Sequence, residues 1–261
     1  KLVTGVQTCA LPICIHVEEN FIRPFFSKNI AEYWRRWHIT MGTWFRDYVF
    51  YPMSISKPLK KLTSTTKKHF GMAGARRVAV YISTMVTWFA TGIWHGAAWH
   101  FVAWGLVNGV IILISEECTP LYNKFHHRFP KLGNSWGYRA FQVIRTFLMM
   151  CCIRLFDTYA SVRGAIRQFI HMFTQFDLSK VTGKELLDLG LSVQDYCIVA
   201  FGVIAMFTVS MCGRNGSVRE KISQKPYVIR YGLFVLLFFA VLLLGSYGVG
   251  FEAQQFIYNQ F

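Results

Sequence analysis

Residues 88–100 read Trp-Phe-Ala-Thr-Gly-Ile-Trp-His-Gly-Ala-Ala-Trp-His and place an ionisable imidazole, His95, between two apolar runs. Residues 78–94 carry no charged side chain, and residues 97–115 carry none apart from the titratable His100. A bilayer disfavours polar groups, so a histidine at such a place is a functional-site candidate by default. Its chemistry would be proton transfer, because a neutral imidazole accepts a proton near physiological pH. Gly92 and Gly96-Ala97-Ala98 leave room for another backbone or a substrate beside the ring.

A second candidate, His38, lies in an aromatic and charged stretch, residues 17–53. Asn29-Ile30-Ala31-Glu32 has the pattern of a capping box, which predicts a helix from about Ile30, with Gly42 as its stop. On that helix Trp34, Trp37, His38 and Met41 share one face, and Arg35 and Arg36 point elsewhere. His38 is therefore expected against packed protein. The stretch is too polar to span lipid and fits an interfacial or re-entrant position. Arg35, Arg36 and Arg46 could bind donor phosphates or lipid headgroups, and Asp47 beside Arg46 suggests a local ion pair.

The elements that must position these residues are helices in a membrane. The 261 residues are 53% hydrophobic and 17% aromatic, and only 16% are charged. The charges cluster between long apolar runs, which is the pattern of an all-α, polytopic membrane protein. The net charge of +15 sits in short loops beside those runs, so it reports topology and contact with anionic lipid rather than nucleic acid. About five spans are expected, near 78–94, 97–115, 141–157, 194–212 and 231–251. Basic loops at 57–77, 124–139 and 214–230 would be cytoplasmic, with 160–190 outside as short surface helices. On that plan His95 lies at an outward turn, His38 lies on the cytoplasmic side, and the two approach the midplane from opposite faces. The seven cysteines show neither zinc-site spacing nor a disulfide framework, so no metal site is expected. His126-His127 has no companion ligands.

Residues 1–14, KLVTGVQTCALPIC, have no helical period and no signal-peptide order. They resemble translated sequencing-adapter read-through and are set aside. Residues 15–261 are then expected to be the C-terminal part of a single transmembrane domain of a longer protein.

The segments Glu19–Phe26, Tyr33-Trp34-Arg35-Arg36-Trp37-His38-Ile39-Thr40 and Thr43–Tyr48 resemble a signature of the membrane-bound O-acyltransferase family, and within it the alginate O-acetylation branch. Trp94-His95-Gly96-Ala97 resembles a second signature, which holds the family's invariant histidine. The ending Phe256–Phe261 is also similar. The resemblance implies an enzyme that moves an acetyl or other acyl group from a cytoplasmic thioester, such as acetyl-CoA, to a hydroxyl for O-acetylation of an extracytoplasmic polysaccharide. It implies His95 as base and His38 as a second active-site residue. Trp94 and Trp99 are candidate oxyanion donors, and Trp37 and Trp44 with the three arginines are substrate-binding candidates. No bound cofactor is implied. The setting would be a bacterial cell membrane, with a separate extracytoplasmic transferase as partner. Transfer of D-alanine from a carrier protein to teichoic acid, and a non-catalytic channel that only guides an acyl group, are the alternatives.

Overall fold

A computed structural model describes residues 18–177 and 192–245. The chain divides at Phe176–Asp177 into two units, each of which is described by itself. All elements among the described residues are helical.

The first unit opens with helix α1, Ile30–Arg36, at the residue the capping pattern predicts. The Asn29 side chain accepts from the Glu32 backbone N–H at 2.8 Å. Glu32 returns its carboxylate to the N–H of Lys28 rather than of Asn29. The helix does not run on to Gly42. It ends at Trp37, which is extended, and at His38, which is left-handed with φ 47° and ψ 53°. Helix α2, Ile39–Phe45, then starts afresh with Gly42 inside it. The cause is the segment at residues 20–22, which pairs with both sides of the break. Ile22 N–H donates to Arg36 C=O at 2.9 Å, and Ile39 N–H donates to Asn20 C=O at 3.0 Å. The Asn20 side chain accepts from the Thr40 N–H at 3.1 Å and so caps α2. These bonds satisfy groups that a continuous helix would have paired internally.

A π-helical stretch, Arg46–Phe50, leads to helix α3, Lys57–His95, which departs from helical geometry at Gly71 with φ 71°. The basic segment 57–77, expected as a loop, is therefore helical on both sides of that bend. Pro58 suits the first turn, and the lysines, leucines and alanines of this segment are good helix formers. Helix α4, Trp99–Glu117, returns antiparallel along the end of α3. The two cross closely at Gly92 and Gly105. A Cβ at Gly92 would stand 2.7 Å from the Phe101 carbonyl oxygen, and one at Gly105 would strike the carbonyl of Trp88. Only glycine permits that approach. Helix α5, Thr119–Arg128, and helix α6, Trp136–Ile153, complete the frame. Ile30 and Tyr33 of α1, Trp104 of α4, and Met150 and Ile153 of α6 form the buried core. Helix α7, Val162–Thr174, is the surface helix expected after residue 160.

In the second unit, helix α8, Val193–Cys212, begins with a full capping box between Ser192 and Asp195. Short helix α9, Val218–Ser223, and helix α10, Tyr227–Leu244, come next. Among the described residues three helices are long and apolar enough to cross a membrane: α4, α8 and α10. These match the second, fourth and fifth expected spans, though α10 starts four residues early. The first expected span is the end of α3, where Tyr81, Ser83, Thr84, Thr87 and Thr91 dilute the apolar run. The third lies in α6, which carries Arg139 and Arg145 and stops before Arg154. Residues 1–14, 178–190, the end of the fifth expected span and the motif at 256–261 lie outside the described residues.

Candidate active site

His95 is the last residue of α3, and the chain turns through Gly96-Ala97-Ala98 into α4. The imidazole is held by aromatic rings instead of hydrogen bonds. Its centroid lies 4.2 Å from Trp104, 5.1 Å from Trp94 and 6.3 Å from Phe101, the last nearly parallel. Neither ring nitrogen hydrogen-bonds among the described residues, and neither is sealed away as Nδ1 of His100 is. Gly96 is buried against the Phe101 ring, 2.5 Å from where a Cβ would sit. A side chain there would push Phe101 out of its stack with His95.

His38 occupies the break between α1 and α2 in a backbone conformation that costs a non-glycine residue roughly 1–3 kcal/mol. Its ring packs on Phe21 at 4.8 Å and Trp37 at 5.6 Å. Burial lowers its pKa from the ordinary 6.5, so the neutral, proton-accepting form dominates at neutral pH. His38 and His95 lie within electrostatic range of one another. The structure thus gathers two histidines that are distant in the chain.

A cavity of about 680 Å³ is walled by α1, α2, the π-helical stretch, one face of α3 and Ile112 of α4, and His95 is not among its lining residues. His38, Trp37, Arg35 and Arg46 line it, with Thr84, Thr87, Trp88 and Thr91 opposite. Its lining contains no carboxylate, and of its two guanidinium groups that of Arg35 has no ion-pair partner among the described residues. Arg46 donates to Asp47 at 3.0 Å, the ion pair expected from their adjacency.

Other expected site residues are placed differently. Arg36 donates to Glu32 at 2.6 Å and to the Arg23 carbonyl, which commits it to the α1 scaffold. Arg35, expected to point away from the His38 face, lines the cavity because the break at Trp37 turns His38 and α2 away from the axis of α1. Trp94 touches His95 and Phe45. Trp44 is 53% exposed and Trp99 80% exposed, and both stand outside the cavity wall.

Sequence reasoning missed Asn108. It is fully buried in α4, where its side chain accepts from the Trp34 indole N–H at 3.1 Å and donates to the Trp104 carbonyl at 2.9 Å. That bridge fixes α1 against α4 and orients Trp34, which meets Trp88 and Trp104 edge-on. A lone amide in an apolar run was the available signal. The threonines at 84, 87 and 91 were a second signal, recurring at helical spacing on one face. Among the described residues no group of three or more His, Cys, Asp or Glu is arranged to hold a metal.

Several curated proteins of bacterial cell-envelope acylation are similar to this chain. The chain is 28% identical over 113 residues to a peptidoglycan O-acetyltransferase of Helicobacter pylori, covering 43% of the chain and 18% of that protein. It is 28% identical over 212 residues to a Pseudomonas syringae pv. tomato protein named "Probable alginate O-acetylase AlgI", covering 79% of the chain and 34% of that protein. It is 29% identical over 133 residues to a teichoic acid D-alanyltransferase of Bacillus subtilis, covering 51% of the chain and 30% of that protein. The chain is thus similar to several curated cell-envelope acyltransferases, in line with the resemblance its signature segments carry. It spans about a third, or less, of the length of these relatives. No protein-family model matches it. With three helices of membrane length and apolarity among the described residues the chain is a membrane protein, and His95 stands at the turn between α3 and α4.

Proposed function

We propose that this chain carries the reactive centre of a bacterial, multi-pass membrane O-acyltransferase that esterifies a cell-envelope polysaccharide. The observation that carries the reading is His95. Its imidazole has no hydrogen-bond partner among the described residues, is gripped by Trp104, Trp94 and Phe101, and sits at the turn between two apolar helices. In this reading the neutral imidazole takes the proton of an acceptor hydroxyl as that oxygen attacks a thioester carbonyl. The tetrahedral intermediate then expels the thiolate, which regains a proton from the imidazolium. A positioned base supplies about 10²–10⁴-fold. Alignment of donor and acceptor between the walls of the cavity supplies much of the rest. Arg35 and Arg46 would hold the anionic end of an acyl thioester such as acetyl-CoA, entering from the cytoplasmic side. A separate extracytoplasmic transferase would finish delivery to the polymer. D-alanine carried by a protein thioester is the second reading, favoured by the likeness to the D-alanyltransferase of Bacillus subtilis.

The test uses the full-length gene product in its own membrane. His95→Ala and His95→Gln should lower base-labile acetate on the envelope polysaccharide by at least about 10²-fold at equal protein level. Unchanged acetate would end the enzymatic reading and leave the channel. If acetate is absent from the wild type but ester-linked D-alanine is present and depends on His95, the second reading stands.

A further inference from the structure

A second cavity, of about 470 Å³, opens at the far end of α4 from His95. Its walls bring Lys28, Arg35 and Arg145 together beside Ser115 and Glu116. Three permanent cations there face a single carboxylate. Other nearby acids are already engaged: Glu32 accepts from Arg36 at 2.6 Å, and Glu117 pairs with Arg77 at 3.2 Å. Arg145 is held in place, donating one N–H to the Lys28 carbonyl at 3.0 Å with its guanidinium carbon 5.9 Å from the Phe141 ring centroid. That leaves most of its five N–H donors for a ligand. The side-chain nitrogens of Lys28 and Arg35 have no acceptor among the described residues.

Depth narrows the ligand. At about 1.5 Å per residue, α4 is as long as the hydrocarbon core is thick, so Ser115 and Glu116 in its last turn reach the headgroup layer. Clustered guanidinium and ammonium groups at that level suit phosphate oxygens, which a planar guanidinium binds in pairs. We propose that this cavity binds a phosphate-bearing anion through Lys28, Arg35 and Arg145. Ala31, Arg35 and Ile112 line both this cavity and the one beside His38. Arg35 therefore borders both, and an anion in the polar cavity stands next to the apolar one. The phosphate could belong to a phospholipid headgroup or to a soluble phosphate ester, and the chemistry of the grip is the same.

The full-length protein would be probed with inorganic pyrophosphate, by ³¹P line broadening, and with phosphatidylglycerol against phosphatidylcholine nanodiscs, by counting retained lipids in native mass spectrometry. Lys28→Gln with Arg35→Gln should weaken binding by about tenfold for each cation removed. Arg145→Lys, which keeps the charge and loses the fork, should weaken it less. Loss confined to pyrophosphate identifies a soluble phosphate ester, and loss confined to retained phosphatidylglycerol identifies a headgroup. Loss of both supports the shared grip. No binding of either probe by the wild type, or unchanged binding of both by folded variants, overturns the proposal. Neither readout needs turnover, so this site and the role of His95 fail separately.

Discussion

Helix α4 in the first unit and the helices α8 and α10 in the second are all apolar, yet they are built for different neighbours. In α4, 28% of the membrane-length window is buried, and the buried residues include Trp104, Gly105, Asn108 and Gly109. None of the corresponding windows in α8 and α10 is buried within its unit. The composition matches the packing. The α3–α4 pair holds glycines where backbones meet and an amide where an indole needs an acceptor. Helix α10 reads Phe-Val-Leu-Leu-Phe-Phe-Ala-Val-Leu-Leu-Leu along 234–244, with no polar side-chain atom to place. Uniform apolarity marks a surface whose medium is itself apolar. Interrupted apolarity marks a protein–protein seam within the membrane.

Glycine substitutions break or sharpen this contrast most strongly. Gly105→Val should cost about 3 kcal/mol or prevent folding, because its Cβ meets backbone instead of a movable side chain. Thermal unfolding in detergent would measure it. At Gly232 and Gly202 a Cβ meets nothing within 4 Å, so Gly232→Ala should be neutral or stabilising by up to about 1 kcal/mol. Equal losses at Gly105 and Gly232 would show that the two regions are packed alike.

Asn108→Leu is expected to cost about 1–3 kcal/mol, because the Trp34 indole N–H loses its buried acceptor. The companion change Trp34→Phe should recover part of that loss in a double-mutant cycle. Polar-to-apolar changes in α8 such as Thr208→Val should have little effect, since Thr208 only bonds back to the Ile204 carbonyl on an exposed face. A smaller effect is expected at the break in the first unit. His38→Gly should unfold later than His38→Ala by about 1 kcal/mol, because only glycine tolerates φ 47° freely. Both should lose the acyl transfer proposed here.

The smallest expected effect is a pH slope. The His38 pKa is lowered by burial from 6.5 in the folded chain. Below about pH 6.5 the unfolded chain therefore binds the proton first, and stability falls as pH falls toward the folded-state value. His38→Gln should flatten the unfolding midpoint across that range. A midpoint that rises on acidification would reverse the sign and show the imidazole paired with an acid.

Local features were legible in the amino-acid order. The start of α1 could be read from Asn29 and Glu32, because a cap and its acceptor lie within one turn of each other. The position of His95 at a helix end could be read from the small residues after it. Membrane length in α4, α8 and α10 came from composition alone. The two expected spans that fell short had polar or cationic residues within their runs, so their identity depends on the elements packed beside them.

What the sequence determined by itself was the class of the molecule, its apolar helices and the residue types able to move a proton, since each depends on neighbours within a few turns. Tertiary structure decided the rest. The break at Trp37-His38 exists because Asn20 and Ile22, far back in the chain, take its hydrogen bonds. The cavity exists because α1 and α2 fold over Thr84, Thr87 and Thr91. His38 and His95 come within electrostatic range of one another only through the packing of α1 and α2 on the α3–α4 pair. Such long-range pairings are chosen by burial and by the satisfaction of backbone groups across the whole unit, which no short window of residues encodes.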